Sequence, residues 1–477
     1  MTNSKHKKIV ILLPDGISLR NFAYTQFYEL GKAQGHDIIF WNGTPFDLDA
    51  LGFPSAPLGL KEGNEYQAKP HWRTDILKNA RKHIELTLFS KRFKDTVYFE
   101  YLFPLSYKTL KAAAKSYLVR WYARRYGSES GLSRLRERML QQERQTQYYK
   151  SCKNWLQQEQ PDMVFCASQR SVIAIAPLTA AQDLKIPTAS FIFSWDNVPK
   201  ATTVIESDFY FVWSSLMKDE MLKYHTYVKE AQIVITGTPQ FEPHFETNRL
   251  QSKEAFYAAH HLDADTRYLC YSGDDHTTSP KDELYLRDVA RAARALNSKG
   301  TSLKLIFRRC PVDFSGRYDA VLKEFDDVLI DMPPLWKKVG GGWNTILPTP
   351  EDLDLQTNLI AHTEGVINLA SSMVFDYAAH GKPCAYMNYN YLNAEETAEE
   401  GVYLYDYVHF RSMPSSKSVI WMSHPDALEE GLLQLLNDGA TATKEAEEWF
   451  KVINEHPAQN ASTRIWEEID KIIAACI

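Results

Sequence analysis

Residues 366–387 read VINLASSMVFDYAAHGKPCAYM. The apolar, β-branched start, Val366–Leu369, predicts a buried strand. Ser371 and Ser372 follow, then a helical apolar pattern to His380, and Gly381-Lys382-Pro383 stops it. Cys384–Met387 is the next apolar run. Strand, helix and strand in so short a stretch make a parallel βαβ unit. Two hydroxyls at a helix N-terminus, beside backbone N–H groups that lack intrahelical partners, form a ready site for a diphosphate. A serine in that place is equally an ordinary N-cap. Asp376, one turn further along, is placed to reach ribose hydroxyls.

The same alternation extends in both directions. Tyr268–Ser272, Leu303–Phe307 and Val328–Ile330 are strand candidates upstream, with helices at Asp282–Leu296 and Glu351–His362. Further towards the amino terminus come Ile9–Leu13, Asp37–Trp41, Met163–Ala167, Thr188–Phe193, Phe209–Trp213 and Gln232–Thr236, and Arg20–Gln34 reads as one helix. A polar stretch, Glu242 to Ser252, separates the two sets and reads as a linker. With 477 residues the chain is too long for one core, so two α/β domains are predicted. Hydrophobic residues at 44% and charged residues at 24% are the balance of a globular protein.

Charge is unevenly spread. From Lys91 to Lys150 there are fourteen Lys or Arg against five Asp or Glu, a net of +9 within a chain whose total is -6. Aromatics are interleaved there, among them Tyr107, Tyr117, Trp121 and Tyr126. Cations plus aromatics on helices suit an anionic membrane surface, and a solvated helical hairpin with structural aromatics is the other reading. The acidic total argues against a nucleic-acid binder. Six scattered cysteines with no C-x-x-C pair fit a reducing compartment and exclude a disulfide framework. The first residues, Met1–Lys8, carry no apolar signal core, and no window approaches a spanning helix. A cytoplasmic protein, peripheral at most on the inner face of the membrane, is expected.

Three further segments carry chemistry. Arg308-Arg309-Cys310-Pro311 ends a buried strand in paired guanidiniums. Phe193-Ser194-Trp195-Asp196-Asn197-Val198-Pro199-Lys200 follows another strand, and Thr236-Gly237-Thr238-Pro239-Gln240-Phe241 closes the first set. Asp47-Leu48-Asp49 and Asp352-Leu353-Asp354 have the D-x-D form of metal-dependent transferases, a three-residue match that arises often by chance. No G-x-G-x-x-G or Walker A loop is present, so NAD and ATP are disfavoured; Gly340–Gly342 reads as a flexible loop.

Together these segments resemble the CDP-glycerol glycerophosphotransferases (teichoic-acid polymerases) and related bacterial GT-B glycosyltransferases. The family's donor motif runs from an apolar strand into Asp-Tyr-Ser-Ser, two residues, Phe-Asp, and Lys-Pro before the next strand. Ser371, Ser372, Phe375, Asp376, Lys382 and Pro383 match it, while Leu369-Ala370 replaces Asp-Tyr. Of the family's Arg-x-His-Pro, Arg308 and Pro311 match and Cys310 stands in the place of the His. In the family's Trp-His-Gly-Thr-Pro-Leu-Lys loop the His is taken as catalytic base; here Asp196 occupies that place. The segment is also similar to a Ser-Trp-Asp-Asn form in glycosyltransferase-like proteins.

The resemblance implies a GT-B fold, two Rossmann-like domains with parallel sheets facing across a cleft. Residues 1–240 would form the acceptor-side domain, with a basic helical insertion at about 78–150. Residues 241–455 would hold the donor, and 456–477 would cross back to the first domain as a helix. It implies a metal-independent glycosyltransferase of bacterial surface glycan synthesis, with no cofactor, a nucleotide-sugar donor and a glycan or lipid-linked acceptor. Asp196 would be the base. Arg308, Arg309, Ser371, Ser372, Asp376, Ser272 and Gly273 would bind the donor. Asp15, Arg20 and Asn21, at the end of the first strand, and Asn197 are candidate contacts for acceptor or phosphate. The alternatives are a CDP-glycerol or CDP-polyol phosphotransferase, a nucleotide-sugar 2-epimerase, and a non-catalytic sugar-binding module. Ser272-Gly273-Asp274-Asp275-His276 departs from the epimerases' Thr-x-His-Arg-x-Glu-Asn stretch.

Overall fold

A computed structural model of the chain describes residues 6–62, 65–340, 345–391 and 398–476. Met1–Lys5, within the stretch read as lacking a signal, and Gly341 and Gly342 of the glycine-rich loop lie outside the described residues. The chain divides into two compact units: Met1–Pro239 with Asn460–Ile477, and Gln240–Gln459.

The first unit is built on a sheet of seven parallel strands: β1 (Lys8–Leu13), β2 (Asp37–Asn42), β3 (Ser55–Pro57), β6 (Met163–Cys166), β7 (Thr188–Phe191), β8 (Phe209–Val212) and β9 (Ile233–Ile235). A small antiparallel hairpin, β4 (Leu60–Glu62) and β5 (Glu65–Gln67), lies between β3 and the helical region. Sheet order is β3-β2-β1-β6-β7-β8-β9. Ile9 to Leu13 are wholly buried, as a parallel strand covered on both faces requires.

The helix predicted over Arg20–Gln34 is two helices, α1 (Gly16–Phe22) and α2 (Gln26–Ala33). Thr25 breaks it: its hydroxyl accepts from Phe27 N as the N-cap of α2, and donates to Asn21 O. The basic region folds as α3 (Thr74–Phe93), α4 (Leu110–Arg125), α5 (Glu129–Glu143) and α6 (Gln147–Glu159). It does not stand off as a solvated hairpin. Ile76, Leu77, Ala80 and Ile84 of α3 share a core with Val10 and Leu12 of β1 and with Leu135 and Met139 of α5. Beneath it Arg81, only 1% exposed, donates to Glu85, Thr203 O and Ala201 O, and Arg136 pairs with Glu85 and Glu206. Two of the region's cations are thus interior, and each is paired, as burial demands.

Helices α7 (Ile175–Asp183) and α8 (Ser215–Tyr224) complete the strand connections. The last helix, α16 (Ala461–Cys476), packs on α2. Trp466 is wholly buried, stacks on Phe27 at 4.6 Å and on His36 at 4.8 Å, and donates from Nε1 to Phe27 O at 2.8 Å. Gly31 makes room for it: a Cβ there would lie 2.3 Å from the indole.

The second unit has six parallel strands in the order β12-β11-β10-β15-β16-β19. They are β10 (Arg267–Ser272), β11 (Leu303–Arg308), β12 (Leu329–Asp331), β15 (Val366–Asn368), β16 (Cys384–Met387) and β19 (Ile420–Met422). Two short antiparallel pairs are added, β13 (Lys337–Lys338) with β14 (Ile346–Leu347), and β17 (Tyr389–Tyr391) with β18 (Ala398–Glu400). Helices are α9 (Lys253–Ala259), α10 (Asp282–Ser298), α11 (Asp319–Glu324), α12 (Pro350–His362), α13 (Met373–Ala378), α14 (Leu428–Asn437) and α15 (Ala440–Ile453). Both sheets are parallel and Rossmann-like, as the strand–helix alternation predicts.

Candidate functional site

In the second unit the chain runs from β10 to β11 on one side and later returns to β15 on the other. The sheet order therefore reverses beside β10, and the carboxyl ends of β10 and β15 flank the switch point where α/β sheets bind ligands. Ser272 ends β10 and is paired in register with Arg308 at the end of β11. Ser371 and Ser372 follow β15. The fold thus gathers Ser272, Gly273, Arg308, Ser371 and Ser372, residues a hundred positions apart in sequence at their extremes, on one edge.

The turn after β15 is held in an unusual shape. Ala370 has φ of +59°, the left-handed region that costs a non-glycine residue about 1–2 kcal/mol. Its neighbours fix it there. The Tyr405 hydroxyl accepts from Ala370 N and donates to Met387 O. The buried Asn368 side chain accepts from Ser371 N at 3.0 Å, and the Tyr386 hydroxyl donates to Ser371 O at 2.8 Å. Ser371 Oγ accepts from Met373 N, so this serine does cap the helix. The Ser372 hydroxyl has no partner among the described residues. Helix α13 has only six residues, less than the Ser372–His380 expected.

Gly273 is needed for close approach. A Cβ there would stand 3.0 Å from the Phe307 ring and 3.2 Å from both Asp282 Oδ2 and Tyr318 Oη. Around it lies a cluster that the sequence did not reveal. Tyr318 Oη donates to Asp282 Oδ2 at 2.8 Å, and Arg317 donates to the Asp274 and Ser279 carbonyls, tying down the loop after β10. Burial pushes Asp282 up to about 6. Burial, then the carboxylates of Asp282 and Asp275, raises Asp274 well above the usual range.

Arg308 is 4% exposed, and its Nη2 reaches both oxygens of Asp352 at 3.0 and 2.9 Å. Asp352 also accepts from Leu335 N and from Trp336 Nε1, each at 2.7 Å. One buried carboxylate therefore holds three groups, while Arg308 Nη1 is buried without a hydrogen-bond partner. Arg309 points elsewhere, to Asp331 at 3.0 Å. Burial pushes the Cys310 thiol up to about 12, so it stays neutral where the resembling family has an imidazole. The D-x-D pairs have protein partners: Asp352 faces Arg308 and Asp354 faces Arg249, while Asp47 and Asp49 bond Ala50 N and Ser55 in turns.

Asp376 does not face outward towards a ribose. It is 2% exposed, and its Oδ1 lies 2.8 Å from His244 Nε2; His244 Nδ1 in turn lies 3.1 Å from His380 Nε2. The reason is packing: neighbouring Phe375 meets Trp449 edge-to-face and stacks on Phe450, both of α15, which turns this side of α13 inward. Burial, then His244, pushes His380 down to about 3.

In the first unit the switch lies between β1 and β6. Asp15, 4% exposed, is the N-cap of α1, its Oδ1 accepting from Ser18 N at 2.9 Å and Ser18 Oγ at 2.8 Å. Local capping therefore occupies one of its oxygens. Arg20 is half-buried in the last turn of α1, and Asn21 is buried with its Oδ1 unpartnered. After β7, Asp196 pairs with Lys200 and accepts from Asn197 Nδ2 at 2.8 Å. Asn197 Oδ1 accepts from Gln169 Nε2 at 3.0 Å, and Gln169 Oε1 accepts from Phe193 N at 2.9 Å. Gln169 thus welds the segment after β6 to the one after β7.

Next to it, the Arg170 guanidinium sits over the Phe193 ring at 4.1 Å. Burial lowers its pKa against the opposing pull of Asp15 and Asp196. Glu220 on α8 is pushed up to about 8 by burial, with Asp196 adding to the rise. Sequence reasoning missed Gln169, Arg170 and Glu220. The signal for the first two was available: Ser168-Gln169-Arg170 follows a buried strand, as Asp196 does.

No protein-family model matches the chain, and no curated protein matches it in sequence. Solved structures match in shape. A UDP-N-acetylglucosamine 2-epimerase superposes with a TM-score of 0.54 at 12% identity, over 99% of this chain and 97% of that one. A glycosyltransferase of Rickettsia africae gives 0.51 at 11%, over 99% of each chain. MnaA of S. aureus, in a co-structure with UDP, gives 0.51 at 12%, over 98% of this chain and 97% of its own. The chain has the GT-B fold. At such identities the likeness is one of fold, and GT-B chains of this shape include both a transferase and epimerases.

Proposed function

We propose that the chain is a metal-independent glycosyltransferase, moving a sugar from a nucleotide-activated donor to an acceptor hydroxyl in bacterial surface glycan assembly. The carboxy-terminal unit takes the donor, and the amino-terminal unit takes a glycan or lipid-linked acceptor. The observation that carries this reading is the switch-point edge of the second sheet. There a left-handed turn at Ala370 presents Ser371 and Ser372, and the strand end opposite brings a guanidinium with one buried, unpartnered nitrogen, Arg308 Nη1. Preorganised hydroxyls, backbone N–H groups and a fixed cation suit a leaving diphosphate, whose charge grows as the glycosidic bond to the sugar breaks. UDP in the MnaA co-structure and the glycosyltransferase among the neighbours support a nucleotide-sugar donor.

Asp196 is assigned as the base. It follows β7 on the ligand edge, and withdrawal of Lys200 would free it to accept the acceptor's proton. Arg170, whose guanidinium lies over the Phe193 ring just before this loop, is assigned to orient the acceptor. A sugar donor is preferred to a CDP-polyol because Cys310 and Asp196 replace both histidines of the resembling polymerases.

The test is calorimetric titration with UDP, CDP, GDP and CMP, followed by incubation with the matching nucleotide sugars. Diphosphates should bind more tightly than the monophosphate, and nucleotide release should require an acceptor. Interconversion of the nucleotide sugar without acceptor would make the chain an epimerase. Glycerol phosphate transfer from CDP-glycerol would make it a phosphotransferase. Equal binding of free sugar and no preference for diphosphates would leave a binding module.

A further inference from the structure

Helix α4 is apolar on two opposite faces. Ser116, Val119 and Tyr122 are buried against the unit. On the other side Leu110 is 93% exposed, Tyr117 64% and Trp121 55%, with Ala114 exposed between them. At 3.6 residues per turn, positions 110, 114, 117 and 121 fall within a sector of about 60°. The water-facing stripe of a surface helix is normally polar. Here it is apolar, and the preceding loop extends it with Phe103, 79% exposed, and Tyr107. A contiguous patch of this kind marks a docking surface.

Cations line both flanks. By helical position Lys111 and Arg125 lie on one side of the stripe, Arg120 and Arg124 on the other. From Leu102 to Ser128 the chain has six Lys or Arg and no Asp or Glu. Lys115 is paired with Asp75. Among the described residues the other five, Lys108, Lys111, Arg120, Arg124 and Arg125, form no ion pair. Elsewhere in the region Arg92 pairs with Glu129, Arg136 with Glu85 and Glu206, and Arg144 with Asp183, while Lys91, Lys94, Arg134, Arg138 and Lys150 form no ion pair among the described residues. What sets the stripe apart is that cations without ion pairs flank it on both sides and no carboxylate lies between Leu102 and Ser128. A cavity of about 280 Å³ lies on the other, inward side of α4, between it, α3 and the loop of Phe103, lined by Lys82, His83, Lys115, Leu105 and Val119 among others.

A long aliphatic side chain, a tyrosine and a tryptophan in one line, with flexible cations on both sides, match the layers of a lipid interface: acyl boundary, headgroup level and phosphate. Stacking on nucleic acid would use the aromatics but leave Leu110 in water. A second copy of this chain brings a net charge of -6, but no exposed acid lies within the stripe to meet its cations.

We propose that the outward face of α4, with Phe103 and Tyr107, lies on an anionic lipid bilayer. Leu110, Tyr117 and Trp121 embed at the headgroup–acyl boundary, and the five unpaired cations meet lipid phosphates. No helix among the described residues is long and apolar enough to cross a membrane, so the contact is with one leaflet. The proposal is independent of the donor chemistry.

The test is co-flotation of the full chain with vesicles of phosphatidylcholine alone or mixed with phosphatidylglycerol. Wild type should float with the mixed vesicles at low salt, detach at high salt, and ignore the neutral ones. Leu110→Ser with Tyr117→Ser and Trp121→Ser should lower the partition on the order of 10²-fold, as should Arg120→Gln with Arg124→Gln and Arg125→Gln. All six side chains are exposed, so unchanged thermal unfolding separates lost docking from lost fold. Flotation of the serine variant at the wild-type level, or equal recovery with neutral vesicles, overturns the proposal. A wild-type dimer that the serine variant dissociates, with flotation unchanged, would assign the face to a second copy. Retention by oligonucleotides but not by vesicles would assign it to nucleic acid.

Discussion

Consider Asp352→Ala. In the folded second unit this carboxylate accepts from Arg308 Nη2, Leu335 N and Trp336 Nε1, and it is 3% exposed. Removing it strands a guanidinium that is itself 4% exposed, along with two neutral donors. Breaking a buried ion pair from one side costs about 3–5 kcal/mol, because the surviving charge stays desolvated. The unit spans Gln240–Gln459, a size at which each kcal/mol moves the unfolding midpoint by about 2–4 °C, so a fall of roughly 6–20 °C is expected. Urea denaturation followed by tryptophan fluorescence and by circular dichroism reads the loss, and the transition of the first unit serves as internal reference. Arg308→Met with Asp352→Leu should recover much of the loss, since the charge is removed with its partner. A loss below about 1 kcal/mol for Asp352→Ala, or a double variant no better than the single one, would refute the view that Asp352 positions Arg308.

Four other outcomes follow from the same geometry. Ser371→Ala with Ser372→Ala should weaken nucleoside-diphosphate binding by about 1–3 kcal/mol in calorimetry and leave the bare nucleoside nearly unaffected. Asp196→Asn should keep donor affinity while turnover drops roughly 10²-fold, the scale of general-base loss; a near-normal rate would place the base elsewhere. Trp466→Ala removes a wholly buried indole stacked on Phe27 and should destabilise the amino-terminal unit by about 3–5 kcal/mol. His380 is held neutral by burial, with a folded pKa of about 3 against 6.5 when unfolded. Between these values the unfolded chain binds the extra proton, so stability is full above pH 6.5 and falls as the pH drops towards 3. His380→Gln should flatten that limb of an acid-unfolding profile.

Legibility in the sequence followed the range of the forces involved. Long parallel strands showed as apolar runs because both faces are covered, and Ile9–Leu13 and Leu303–Phe307 fall inside observed strands. Ile420–Met422 is three residues long and did not stand out. The Ser371–Ser372 edge was visible because strand, turn and helix are contiguous. Partners made by tertiary folding were not: Asp376 meets His244 across 132 residues, and Arg308 meets Asp352 across 44. No local pattern encodes such distances, so a carboxylate read as exposed proved to be interior. The basic region misled in the opposite sense, since composition counts Arg136 equally with Arg124 although only the second reaches water.

Helix α16 belongs to the unit that begins the chain, and this imposes an order on synthesis. A ribosome delivers β1, β2 and α2 early, yet the tryptophan that covers Phe27 and fills the hollow over Gly31 arrives after all of Gln240–Gln459 has been made. Until then the nascent amino-terminal unit carries an open apolar seam, the kind of surface that holdase chaperones bind and that aggregation exploits. A premature stop between Gln459 and Trp466 would spare every residue of the donor edge and still leave the hollow over Gly31 unfilled.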